Sequence, residues 1–223
     1  MKKLPLLLVV AASMSAGPAR SQDAIIDYQG YTYETGGFQP SDAGDVLSIL
    51  GIVDALDARF LIDLSMDEVT LYVTSLVSTG QVDIGGGILS IAYTGGTIDL
   101  YQDPSRDHDF GINPPNPPAT PNTFTNGSLF LGGTLSDFFL FFDPSTGSGA
   151  YEANANFTSG SGLATLGQMD ALGYTFGGVL DRSTGATIPQ GYDLQADGVI
   201  QVQVRVSVEP RSWGAVKDLY RQQ

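Results

Sequence analysis

The chain has 223 residues, with 10 basic and 24 acidic side chains, a formal net charge of −14 and no cysteine. The lack of cysteine excludes disulfides, thiolate catalysis, thiolate zinc sites and covalently attached haem. The acidic balance argues against a nucleic-acid partner, because such a surface repels phosphate backbones.

The first residues have the layout of a secretory signal peptide. Two lysines precede an apolar run over residues 4–12, and small residues follow it. The run is shorter than the ~20 residues that a membrane-spanning helix requires. We therefore expect cleavage after Ser21, a secreted or cell-surface location, and no membrane span after the signal is removed; a membrane-retained N terminus is the alternative. The predicted organisation is a signal peptide over 1–21, one folded domain over 22–209 and a short amphipathic tail over 210–223.

Strands are predicted first in the middle of the chain. Residues 41–64 mix helical spacing with strand character, so we predict a strand after Arg59 and leave the earlier half open. "EVTLYVTSLV", residues 68–77, is rich in β-branched and aromatic residues, as strands are. "ILSIAYTGGTIDLYQD" is interpreted as a hairpin, because Gly95 and Gly96 supply the positive φ that a tight turn demands.

The second half of the chain also has a pattern of turns and strands. Asn126 and Gly127 predict a turn before a strand, and "LSDFFLFFD" over 135–143 has apolar side chains on both faces, which is typical of a strand inside a sandwich. A further strand is predicted near "GAYEANANFT", and "VIQVQVRVSVE" alternates as a half-buried strand does. Residues 162–176 are ambiguous, and a short helix is one interpretation of them. Many short strands with 28 glycines predict an all-β fold, a single antiparallel β-sandwich or jelly roll with short peripheral helices.

Four aspartates and the only histidine fall within residues 99–109, at the exit of a predicted strand and before a proline-rich tract. Calcium takes several hard oxygen ligands, and a loop can supply them from closely spaced carboxylates. Solvated turn residues are one interpretation of this segment. The other is a metal loop, with Asp103, Asp107 and Asp109 as the predicted ligands of a calcium ion, the cofactor that this pattern suggests. His108 cannot form a multi-histidine metal site, because the chain has no second imidazole.

Two tyrosines near the mature N terminus form a candidate ligand surface. Tyr31 and Tyr33 project to the same face of a strand, where aromatic rings can bind a glycan. Packing within the sheet is the alternative. A glycoside hydrolase needs two carboxylates at a defined separation, and with so many acidic residues no particular pair stands out.

"YTYETGGF", "YTGGTIDLYQD" and "TFTNGSLFLGG" resemble, in order and style, exported bacterial β-sandwich surface proteins of the PEP-CTERM-associated type. The resemblance spans residues 31–133 and implies a surface or matrix component without assigned catalytic residues. The chain departs from that family at its end, because it lacks the apolar C-terminal sorting helix.

The tail has its own pattern. With Ser212 as an N-cap, Trp213, Val216 and Tyr220 share one face of a helix, and cations lie toward its C terminus. Docking of this face on the folded domain is one interpretation, and an export, attachment or assembly signal is the other.

The sequence as a whole predicts a secreted, non-catalytic extracellular or cell-surface protein with a structural or binding role. Expected partners are further copies of itself, cell-surface or matrix components, or a glycan. The alternative is a calcium-assisted carbohydrate-binding or glycoside-hydrolysing module.

Overall fold

Eight antiparallel strands follow one another around a closed barrel, each paired with its neighbours in sequence, and the last strand pairs with the first. The computed structural model describes residues 24–111, 122–167, 173–183 and 185–203. The strands are β1 (Ala24–Glu34), β2 (Val46–Leu56), β3 (Glu68–Asp83), β4 (Leu89–Asp103), β5 (Ser128–Asp143), β6 (Ser148–Ser159), β7 (Tyr174–Asp181) and β8 (Leu194–Val202).

Helical structure is confined to short pieces between strands. The one α-helix in the described part of the chain is α1 (Leu163–Gly167), and two 3-10 turns cover Ala58–Phe60 and Asn122–Phe124. The prediction of an all-β protein is therefore confirmed. The predicted signal peptide and tail lie outside the described residues.

The predicted sandwich or jelly roll is wrong. Alternation of apolar and polar residues shows that a strand has one buried face, but it does not show whether the sheet folds into two layers or closes on itself. Closure is a property of the pairing of β1 with β8, in which Thr32 lies opposite Leu194 and Ile26 opposite Ile200. Those residues are about 170 positions apart, and no local pattern connects them.

Three local predictions also need correction. Gly95 and Gly96 do not turn the chain but lie within the continuous strand β4, where both have positive φ. Gly96 has a φ of +110°, a backbone conformation that residues with a side chain rarely adopt, so this position favours glycine. The strand predicted directly after Arg59 is absent, since residues 61–67 are coil and turn, whereas the ambiguous half before Arg59 forms β2. Residues 135–143 of β5 have one buried and one exposed face.

The barrel interior is filled by side chains. At its centre, four inward positions form a row across neighbouring strands, in the order Tyr28, Gly198, Gly178 and Tyr151. The two tyrosine hydroxyl oxygens lie 2.5 Å apart, and burial raises the pKa of both phenols. Around this row pack the fully buried side chains Ile26, Ile49, Leu71, Val73, Ile91, Ile98, Leu100, Leu131, Phe138, Leu140, Phe176, Leu194 and Ile200.

The tight packing of the interior row predicts that one added methyl group lowers the stability of the fold considerably. A Cβ on Gly198 would lie 2.6 Å from both tyrosine hydroxyl oxygens and 2.7 Å from the carbonyl oxygen of Gly177. We expect Gly198→Ala to lower the free energy of unfolding by roughly 1–3 kcal/mol, because overpacked cores must shift side chains or backbone. Urea denaturation measures this change. Gly167→Ala, where the Cβ meets nothing within 4 Å, is the control, and equal stability of the two variants would contradict the packing of the row.

Candidate functional site

The proline-rich loop connects β4 with β5 and begins at one end of the barrel. Its first residues fold back and contact Glu68, the first residue of β3. Asp103, the last residue of β4, pairs directly with Glu68. One carboxylate oxygen each from Glu68, Asp103 and Asp107 lie within 4.8 Å of one another. We call these three residues the carboxylate cluster. It contains two of the three predicted calcium ligands and adds Glu68.

Hydrogen bonds from the loop backbone hold Glu68 in place. Its Oε1 accepts from the backbone N–H groups of Asp107 and His108, at 3.0 and 3.1 Å. Its Oε2 lies 2.6 Å from Nδ1 of His108. Glu68 is 6% exposed, so the only histidine of the chain pairs with a buried carboxylate.

The third predicted ligand points elsewhere. Asp109 Oδ1 accepts from the backbone N–H of Gly111, at 2.6 Å, and its own backbone N–H donates to Thr123 Oγ1. Asp109 is therefore placed in the turn that follows the cluster. It is not one of the three carboxylates that converge.

A pocket of about 290 Å³ adjoins the cluster. Glu68, His108 and Arg106 line it, and Arg106 donates to the backbone oxygen of Ser65. The rest of its wall is made by Ile52, Val53, Asp54, Leu64 and Asp67. The pocket therefore brings carboxylates, an imidazole and a guanidinium together at one barrel end.

The candidate ligand surface at Tyr31 and Tyr33 lies under loops. The ring of Tyr31 is 4.9 Å from Phe110 and 5.4 Å from Tyr192, centroid to centroid, and Tyr33 is 1% exposed. Together with Leu50, Tyr72, Phe124 and Ile188, these residues form a second apolar cluster on the outside of the barrel. The proline-rich loop thus contributes Phe110 and Phe124 to a cover over β1–β3.

The outer wall of β5–β8 combines a ridge with a groove. The ridge is Phe139 and Phe141, which are 46% and 45% exposed. The groove, about 500 Å³, has a floor of Gly177, Gly178 and Gly198. Its apolar sides are Ala150, Val179 and Val199, and its polar rim includes Glu152 and Asp197.

A second buried carboxylate lies at the opposite end of the barrel. Glu34, which is fully buried, accepts hydrogen bonds from Ser41 Oγ at 2.5 Å and from Tyr93 Oη at 3.2 Å. Burial raises the pKa of this carboxyl to about 7, although both hydroxyl donors lower it. Asp45 and Asp193 add smaller upward contributions.

The predicted tail residues Trp213, Val216 and Tyr220 lie outside the described residues. Within the described ranges the α-helix α1 has five residues, and no helical membrane span is found there. Comparison with known proteins adds no relative: no protein-family model, no curated protein and no solved structure matches this chain.

The environment of Glu34 predicts a dependence of stability on pH. Its folded-state pKa is raised, so the folded protein binds more protons than the unfolded chain between pH 4.5 and about 7. The Glu34 contribution is therefore most favourable below pH 4.5 and is lost as the pH rises to about 7, by up to about 3 kcal/mol. We expect Glu34→Gln to remove this part of the pH dependence in urea denaturation at a series of pH values. The control is Glu152→Gln on the exposed face of β6; an unchanged slope in Glu34→Gln would contradict the assignment.

Proposed function

We propose that the protein is an exported, non-catalytic structural component of the cell surface or extracellular matrix, which associates with further copies of itself. The observation that supports self-association is the presence of an aromatic ridge and an apolar groove side by side on one wall of the barrel.

The ridge is unusual because it exposes two large aromatic side chains to solvent. Two phenylalanines at alternate positions of β5 have nearly half of their surface in contact with solvent. Burying a large apolar side chain contributes about 1.5–3 kcal/mol, so the pair is a substantial driving force for association. Contiguous exposed apolar surface on a soluble protein is typical of an interaction site.

The groove offers a place for those rings on a second copy. Phe141 pairs with Ala150 on β6, and Ala150 pairs with Val179 on β7. Phe141 is therefore one strand spacing from Ala150, the near side of the groove, and about two spacings, or roughly 10 Å, from Val179. Because Gly177, the outward-facing glycine of β7, has no side chain, the groove floor is recessed relative to its apolar sides.

A surface with a protrusion and a recess side by side is complementary to itself. Rotation about a two-fold axis brings the ridge of each copy over the groove of the other, which is the commonest symmetry of soluble oligomers. Addition of strands at a sheet edge is a poor alternative, since a closed barrel presents no edge. Two copies of the barrel would therefore associate through side-chain contacts between their outer walls.

Removing the ridge tests this function. We expect the chain that begins at Gln22 to form dimers as its concentration rises, and Phe139→Ser combined with Phe141→Ser to weaken the dimer at least 100-fold, because two buried rings are lost from each copy. Sedimentation equilibrium over a concentration series measures the dissociation constant. Val179→Glu, which places a charge in the groove, is expected to act in the same direction.

The matched control is Leu61→Ser combined with Met66→Ser, which removes two exposed apolar side chains from the connection between β2 and β3. A wild-type chain that stays monomeric at millimolar concentration would contradict self-association, as would equal weakening by the control pair. Melting temperatures of all variants separate a lost interface from a lost fold.

Export is tested separately from association. We expect deletion of residues 2–21 to keep the protein in the cytoplasm of a bacterial host, while the full sequence delivers it to the medium or the cell surface, because the lysines and apolar run are what the export machinery recognises. Cell fractionation with an antibody to the barrel measures this. Equal distribution of the two forms would contradict export through this segment.

A second candidate function has one observation in its favour. The pocket beside the carboxylate cluster brings Asp54, Asp67, Arg106 and His108 together, and such polar groups suit a calcium-assisted carbohydrate-binding or glycoside-hydrolysing module. Binding of a glycan that requires calcium and is lost in His108→Ala would favour this function over self-association.

A further inference from the structure

We propose that Glu68, Asp103 and Asp107 bind a calcium ion at the end of the barrel where β3 begins and β4 ends. This site is separate from the ridge and groove, so its existence does not depend on the proposed self-association.

The separation of the three carboxylates fits one calcium ion. One oxygen from each residue lies within 4.8 Å of the others. Calcium binds oxygen at about 2.3–2.6 Å, so two oxygens on opposite sides of one ion are about 4.6–5.2 Å apart. All three carboxylates therefore reach a single ion placed between them. Magnesium gives up its water ligands reluctantly and demands near-ideal octahedral geometry, so a set of three protein carboxylates suits calcium better.

Asp103 supplies an independent indication of a ligand. The residue is 4% exposed, and its Oδ1 accepts one hydrogen bond from the backbone N–H of Ser105, at 2.8 Å. Its Oδ2 is buried and has no hydrogen-bond partner among the described residues. Buried polar atoms are almost always paired, because an unpaired one forfeits its hydration without compensation. A cation next to two further carboxylates is a partner that satisfies this oxygen.

Glu68 retains capacity for a metal despite its pairing with His108. An ionised carboxylate has about four lone-pair sites. Three donors occupy Glu68, namely two backbone N–H groups and the His108 ring nitrogen. One site is left for the ion. These donors also fix the position of the carboxylate, so little ordering is required when the ion binds.

The third carboxylate is held by the turn on the far side of the loop. Asn126 Nδ2 donates to both oxygens of Asp107, at 3.1 and 3.3 Å. Gly127, the next residue, lies so close to the end of β4 that an added Cβ would be 2.6 Å from the carbonyl oxygen of Gln102 and 3.0 Å from Asp103 Cβ. The turn thus closes over the buried side of the cluster while Asp107 stays exposed, which leaves a path for the ion.

The chemistry of the ligands favours a hard cation. All three ligands are carboxylates, the chain has no thiolate, and its only imidazole is already engaged by Glu68. Oxygen-only sites suit calcium rather than zinc or copper. Calcium sites of extracellular modules have dissociation constants of about 10⁻⁴–10⁻³ M, and we expect this site to fall in that range.

Titration with calcium chloride tests the proposal on the chain that begins at Gln22. We expect one ion per chain by isothermal titration calorimetry, and magnesium to bind at least tenfold more weakly. At a calcium concentration ten times the dissociation constant, the folding equilibrium constant rises about 11-fold and the melting temperature by about 3–6 °C relative to chelator.

The variants Asp103→Asn and Asp107→Asn keep side-chain size and remove one negative charge each. We expect both to weaken calcium binding at least tenfold, whereas Asp109→Asn, in the same loop but outside the cluster, stays within twofold of the wild type. If Asp103→Asn fails to fold, the exposed Asp107 decides the outcome. No calcium binding at 10 mM, binding unchanged in both cluster variants, or equal weakening in Asp109→Asn would overturn the proposal.

Discussion

The pairing of β1 with β8 is the constraint on which the rest of the structure depends. It joins residues near the two ends of the described chain, from Ala24 with Gln201 to Thr32 with Leu194. Closure removes both edges of the sheet, so every strand has a partner on each side. It also encloses the core, which Tyr28 and Tyr151 fill from opposite sides of the β7–β8 glycines. Candidate sites are therefore found at the barrel ends and on the outer wall.

Features set by residues close together in the sequence were predictable, whereas features set by residues far apart in the sequence were not. β3, β6 and the turn at Asn126 were predictable because alternation and turn chemistry are local. Closure was not, since a strand of a sandwich and a strand of a barrel both bury one face. The exposed face of Phe139 and Phe141 was missed for a related reason: apolar residues at successive positions suggest burial on both sides, whereas here one face forms the ridge.

The candidate metal site was likewise predictable only where its residues are close together in the sequence. Asp103 and Asp107 were predictable because they share a short acidic segment. Glu68 lies 35 positions before Asp103 and meets it only because β3 and β4 form one long hairpin. The prediction of a turn at Gly95 and Gly96 hid this pairing, since it divided β4 in two. Had the glycines been interpreted as positions inside one continuous strand, the register would have brought the two carboxylates together at the barrel end.

The carboxylate cluster and the ridge act independently of one another. Ser128 lies opposite Gln102, next to the cluster, and Phe141 is 13 residues further along β5. At about 3.4 Å per residue, the strand separates them by about 40 Å. The Debye length at physiological ionic strength is about 8 Å, so a charge change at the cluster is screened before it reaches the ridge. The calcium ion proposed for the cluster would therefore act on the stability of its own barrel end, because there it would relieve the repulsion of two buried carboxylates. The strength of the proposed self-association would depend instead on the apolar contacts of the ridge with the groove.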